Sequence, residues 1–127
     1  MSIFKVKLRT SDRLWTRYMR VKQAFTCQKC GRVYSEDNCR NLGVSHYFGR
    51  VNENVRFDED NTNCMCNIPC HQYFDTHKTE YKDWMIQRLG QDGFDMLQLK
   101  KQIHKDRNDI GDAIIIRQML KEVDAIT

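Results

Sequence analysis

No run of apolar residues in this 127-residue chain is long enough to span a bilayer, since a crossing helix needs about 20. The N-terminus also lacks the apolar core of a secretory signal. Both absences lead us to expect a cytoplasmic protein with no membrane partner. In that compartment disulfides poorly explain six cysteines, which leaves bound metal or free thiols. There is no internal repeat and no low-complexity tract, so solenoids and linker-like segments are excluded. Proline occurs once, at Pro69. A strong charge bias is missing too: the net charge is +4, with 30% charged and 40% hydrophobic residues. That mild excess is uneven, because Lys and Arg outnumber Asp and Glu over residues 1–56 and the balance reverses over 57–127. A basic half reads either as a solvated surface or as a nucleic-acid face.

What is present suits one small α+β domain with a helical appendage. A chain this short buries limited apolar surface, so a metal staple would contribute heavily to its stability. Residues 2–9 alternate polar and apolar types and suit a strand or an arm. Ser11 or Asp12 can cap a helix running to about residue 23, because a side-chain oxygen satisfies free first-turn amides. Leu14, Trp15, Tyr18 and Met19 fall along one side of that helix, with Arg13, Arg17 and Arg20 along another. Trp15/Tyr18 and Tyr81/Trp84 read as core. Residues 44–57 suit two short strands joined by a polar turn at 52–54. Pro69 stands where a helix can begin, and that helix should cover 70–77. Further helices are expected over 79–89, stopping at Gly90, then over 93–105 and 109–125.

The most informative stretch runs from Cys27 to His71. Cys27 and Cys30 are two residues apart, so one backbone turn can aim both sulfurs at one cation, and zinc takes four such ligands tetrahedrally. Cys66 and Cys70 are the chosen second pair, spaced by three residues. Cys64 competes with Cys66 for that place, and Cys39 is left over. Between the pairs lie His46 and Asn61, and His71 follows the last cysteine directly. His71 also has a second reading, as a zinc ligand in place of a cysteine.

This His, Asn, His order, framed by two cysteine pairs with the second histidine just past the last cysteine, resembles the HNH (ββα-metal) endonucleases. The residues around it carry a narrower likeness: DRLWTRYMRVK over 12–22, SHYF over 45–48, VRFDEDN over 55–61, then Tyr81, Met85, Leu89 and Gly90. Together, over about residues 11–97, they resemble the phage NinG (Rap) recombination endonucleases. The resemblance implies an N-terminal arm and basic helix (1–26), a zinc-stapled HNH core (27–90) and a C-terminal helical extension (91–127). It implies that His46 is the general base and that Asn61, following the second strand, braces the loop. It places His71 against a catalytic divalent ion. Asp75, one helical turn beyond His71, could be a second ligand. Many relatives carry an acid or histidine just before the base, where this chain has Ser45; Asp58, Asp60 or Asp75 would have to compensate.

The chemistry agrees. Phosphodiester hydrolysis needs a base that works near pH 7, which suits histidine, and a cation beside the scissile phosphate. Arg50 and Arg56 can engage phosphate as bidentate donors; with Arg13, Arg17 and Arg20 they would form a DNA-backbone face. The expectation is therefore a DNA endonuclease with structural Zn²⁺ and catalytic Mg²⁺ or Mn²⁺, acting in phage recombination on branched or junction DNA in the host cytoplasm. Its rival is a zinc-finger DNA-binding or recruiting protein with a degenerate HNH site. A homodimer would let one small site cut both strands. The apolar face over 114–119 would be either its interface or ordinary core.

Overall fold

The computed structural model describes residues 7–126; the strand or arm expected at 2–9 lies largely outside the described residues. The order is α1 (Thr10–Lys22), β1 (Leu42–His46), β2 (Thr62–Cys66), α2 (Gln72–Thr76), α3 (Lys78–Lys101) and α4 (Asp109–Ile126). The strands form one antiparallel pair in which Leu42 faces Cys66, Val44 faces Cys64 and His46 faces Thr62.

Helix α1 starts earlier than its capping signals suggest. Arg9 is the cap, and Asp12 sits at the third helical position, where its carboxylate accepts the Arg9 N–H at 2.8 Å. Neither expected residue is itself the cap. Ser11 is buried and donates its hydroxyl to Asp109 of α4, while Asp12 holds Arg56. A tertiary partner takes the Ser11 hydroxyl, whereas Asp12 serves both the capping bond to Arg9 and the buried pair with Arg56. An acid in the first turn and Arg20 and Lys22 in the last complement the helix dipole.

The apolar stripe of α1 lands in the core as expected. Trp15, Tyr18 and Met19 are buried; Trp15 stacks on Tyr18 at 5.0 Å and donates its indole N–H to Thr62 of β2 at 3.2 Å. Trp15→Ala should destabilise the domain by about 3–5 kcal/mol, since it removes the largest core side chain and leaves a cavity. Denaturant unfolding of the metal-loaded protein checks this, and a loss below about 1 kcal/mol would refute it.

The strand pair is not where the pattern suggested. Residues 44–57 do not contain both strands: β1 begins at Leu42, and the chain then makes a long loop with one short 3₁₀ turn at Glu53–Val55. The second strand is Thr62–Cys66, and all five residues are buried. Cover on both faces removes the alternation on which a strand is normally read. Gly43 lies where a Cβ would sit 2.2 Å from the Asn67 side-chain oxygen, so β1 packs this closely only with glycine there.

The helical expectations hold better. A wide turn over Asn67–His71, holding Pro69, leads directly into α2. The α3 run bends at Gly90, which adopts φ 76° and ψ 162°, a conformation open to glycine. The run then continues to Lys101, short of the expected residue 105. Tyr81 and Met85 before the bend, with Phe94 and Leu97 after it, are buried. Trp84 is half-buried against the same core. Helix α4 packs on α1 through the side carrying Ala113, Ile116 and Leu120. The 114–119 segment is therefore split: Ile116 is core, while Ile114 and Ile115 stay exposed.

Candidate functional site

Two features converge on the strand pair. The first is a cluster of four thiols. Cys27 and Cys30 come from the knuckle after α1, Cys66 ends β2, and Cys70 lies in the turn before α2. Their sulfurs all lie within 4.8 Å of one another, positioned to bind a metal. A tetrahedral ion with metal–sulfur bonds of about 2.3 Å would hold sulfurs roughly 3.8 Å apart, and the Cys30 and Cys66 sulfurs are 3.6 Å apart. The four residues thus fit such an ion.

Local backbone builds this cluster. Gly31, at φ 81°, closes the knuckle by donating its N–H to the Cys27 carbonyl at 2.8 Å. The amides of Cys30 and Cys66 point at the Cys27 sulfur (3.5 and 3.3 Å), and the Tyr34 hydroxyl donates to the Cys66 sulfur at 3.0 Å. Burial would raise the Cys27 pKa, but these amide donors bring it down to about 7. Burial pushes the Cys70 thiol well up, so a cation is what would let all four ionise together. Cys64 does not belong to the cluster; burial pushes its thiol up to about 12. Cys39 lies apart as well, donating to the Glu36 carbonyl at 3.4 Å.

The second feature is a cleft of about 450 Å³ lined by His46, Arg50, His71, Asp75 and Lys78, among others. His46 is the last residue of β1, and its Nε2 is 3.0 Å from the Arg56 carbonyl oxygen. A carbonyl only accepts, so Nε2 carries the proton and Nδ1 keeps its lone pair. Burial, reinforced by the positive charge of Arg50, pulls the His46 pKa down to about 4, leaving the ring neutral at pH 7. His71 stands beside the cysteine cluster with its Nε2 3.5 Å from the Asp75 carboxylate. Burial lowers its pKa while Asp75 opposes that shift. Lys78, a cleft residue the sequence did not single out, places its ammonium 3.8 Å from Asp75. The signal was available in principle, since Lys78 follows Asp75 by three residues across the start of α3.

Asn61 occupies a different place from the one expected. It precedes β2 instead of following it and is fully buried. Its side chain accepts the Phe48 N–H at 2.8 Å and donates to the carbonyls of Phe48 (2.9 Å) and Val55 (3.0 Å). It thus ties together the two ends of the loop that follows His46. Ser45 does not line the cleft: it is fully buried and bonded to the Tyr81 hydroxyl at 2.6 Å. Asp58 and Asp60 do not line the cleft. Asp58 instead pairs with Lys100 at 3.3 Å and accepts the Asp60 N–H. His77 stacks on Tyr73 at 3.8 Å, and His104 pairs with Asp106 on the surface.

The five arginines separate into distinct groups. Arg13 and Arg17 are exposed on α1, with Arg17 loosely paired to Glu36 at 3.5 Å. Arg50 lines the cleft. Arg20 is spent internally, donating to the carbonyls of Cys39 and Leu42. Arg56 is fully buried, with its fork closed on Asp12. Arg56 is therefore not a surface phosphate contact, because its guanidinium is fully buried on internal acceptors, whereas Arg20 is partly buried with its Nε and Nη2 on backbone carbonyls.

The architecture is that of a small α+β domain clamped by a four-cysteine cluster, with a histidine-lined cleft beside it. A family model described as Bacteriophage Lambda NinG protein matches residues 7–125, and the chain belongs to this family. The match includes α4, beyond the span of about 11–97 over which the sequence resemblance was drawn. No curated protein and no solved structure matches the chain. Among the described residues, no helix is long and apolar enough to cross a membrane.

Proposed function

We propose that this protein is a metal-dependent DNA endonuclease of the HNH type, serving phage recombination on branched or junction DNA. The observation carrying this reading is the state of His46. It is a neutral imidazole with Nε2–H committed to a backbone carbonyl and, among the described residues, no hydrogen-bond partner on Nδ1, in the same cleft as His71 and Asp75. The order strand, braced loop, strand, short helix, with cysteines at both ends, supports the HNH assignment.

In this reading Zn²⁺ occupies the tetracysteine cluster and fixes the knuckle, the end of β2 and α2 relative to one another. His71 and Asp75 would hold a Mg²⁺ or Mn²⁺ ion, which offsets charge on the phosphate and the leaving oxygen. Arg50 and Lys78 bind and orient the phosphate at the cleft. His46 Nδ1 takes the proton from the attacking water, and its Nε2–H bond to Arg56 keeps the ring from rotating. The exposed Arg13 and Arg17 contact the DNA backbone away from the cleft, positioning the duplex without reading its sequence.

A second reading has one observation in its favour. Because Ser45 is bonded to Tyr81, His71 and Asp75 are, among the described residues and with His46 set aside as base, the cleft donors left for a catalytic cation, which is what a binding protein with a degenerate site would show. Supercoiled plasmid and four-way-junction substrates incubated with Mg²⁺ or Mn²⁺ separate the two. We expect nicking by the wild type, none above background by His71→Ala, and DNA affinity that falls steeply with salt. Tight binding without cleavage in either metal would establish the binding protein instead.

A further inference from the structure

The Arg56 carbonyl that fixes His46 belongs to a residue with no freedom of its own. All three nitrogens of the Arg56 guanidinium are bonded inside the protein. Nε bonds Asp12 Oδ1 at 2.8 Å, Nη2 bonds Asp12 Oδ2, and Nη1 bonds the Arg50 carbonyl at 2.8 Å with Glu53 at 3.4 Å. Glu53 is in turn gripped by both terminal nitrogens of Arg9, at 2.7 and 2.6 Å. Asp12 is 3% exposed and Arg56 is fully buried, so water does not compete for this pair. Asp12 is itself anchored by the Arg9 N–H at the start of α1. The chain of contacts runs from α1, through Asp12 and Arg56, to the imidazole of His46.

We propose that Asp12 is a positioning residue, which locks Arg56 so that its carbonyl holds His46 in the Nε2–H tautomer with Nδ1 facing the cleft. A neutral imidazole divides its proton between two nitrogens, and the partner of one decides which is left to accept. In the 15-residue loop between the strands, Asn61 holds the backbone at Val55, and the Arg56 side chain is held separately by a buried carboxylate 44 residues upstream. As a catalytic statement this rests on the nuclease reading, but the geometric claim can be measured without it.

The test uses the full-length, metal-loaded protein carrying Asp12→Asn. That change keeps an oxygen for the Arg9 amide and removes the charge that grips Arg56. Nitrogen NMR of His46 should change from one Nε2–H tautomer to a mixture. Cleavage of plasmid should lose about 10- to 100-fold in kcat, the scale expected when a reacting group is misplaced by about 1 Å. Arg56→Lys, which keeps the charge and loses the fork, should do the same and serves if the first variant does not fold. An unchanged single tautomer in the folded variants overturns the proposal whatever the cleavage rates, and so does loss of folding in both, which would make the pair purely structural. A wild type that cleaves nothing refutes the nuclease reading alone, because the tautomer still reports the positioning.

Discussion

Stripping from the four-cysteine cluster the metal it is positioned to hold, with a strong chelator at neutral pH, should unfold this protein. The four sulfurs tie the end of α1, the end of β2 and the approach to α2 at one point, and a domain of this size has little other apolar surface with which to hold them. Binding free energies for structural zinc of on the order of 10 kcal/mol appear directly as folding free energy in such small domains. Circular dichroism with elemental analysis should show one zinc per folded chain and cooperative loss of helix on chelation. Cys70→Ser should reproduce that loss. Cys64→Ala and Cys39→Ala should retain one zinc per chain, because neither residue belongs to the cluster. A chelated protein with an unchanged helical signal and unfolding midpoint would show that the thiols are only packed together.

The second large effect is expected at His46. Replacing it with alanine should lower DNA cleavage by about 10²- to 10⁴-fold, the range typical of a lost general base, while DNA affinity changes by no more than about twofold. The separation follows from the proposed geometry: Arg13 and Arg17 are exposed and Arg50 and Lys78 line the cleft, so in that reading they would contact the backbone, whereas His46 is neutral at pH 7. Gel-shift binding and initial nicking rates, measured on one preparation with its zinc content verified, supply both numbers. Cleavage at the wild-type rate by His46→Ala would eliminate the histidine as base and, with it, the mechanism.

The cysteine cluster was legible because its chemistry is encoded in spacing. Cys27 and Cys30 must share a turn, and Cys70 has to lie close to a strand end for the second pair to meet them. Helices were legible for a similar reason, since Trp15, Tyr18 and Met19 on α1, or Ile116 and Leu120 on α4, repeat at helical intervals. The strand pair was misplaced because Thr62–Cys66 is buried on both faces and shows no alternation. Asn61 was consequently put on the wrong side of β2, although its bracing of the loop was anticipated. The arginines were the least legible of all. Arg20 and Arg56 look like phosphate ligands in the sequence, yet each meets acceptors far away along the chain: the carbonyls of Cys39 and Leu42 for one, Asp12 for the other. The same long separation hid Asp12, whose local reading as a helix cap was sufficient to explain it.

The bond between Ser11 and Asp109 spans 98 residues and joins the first turns of α1 and α4. A ribosome releases the N-terminal helix long before its C-terminal partner exists, so one flank of α1 stays bare until the last helix emerges to cover it.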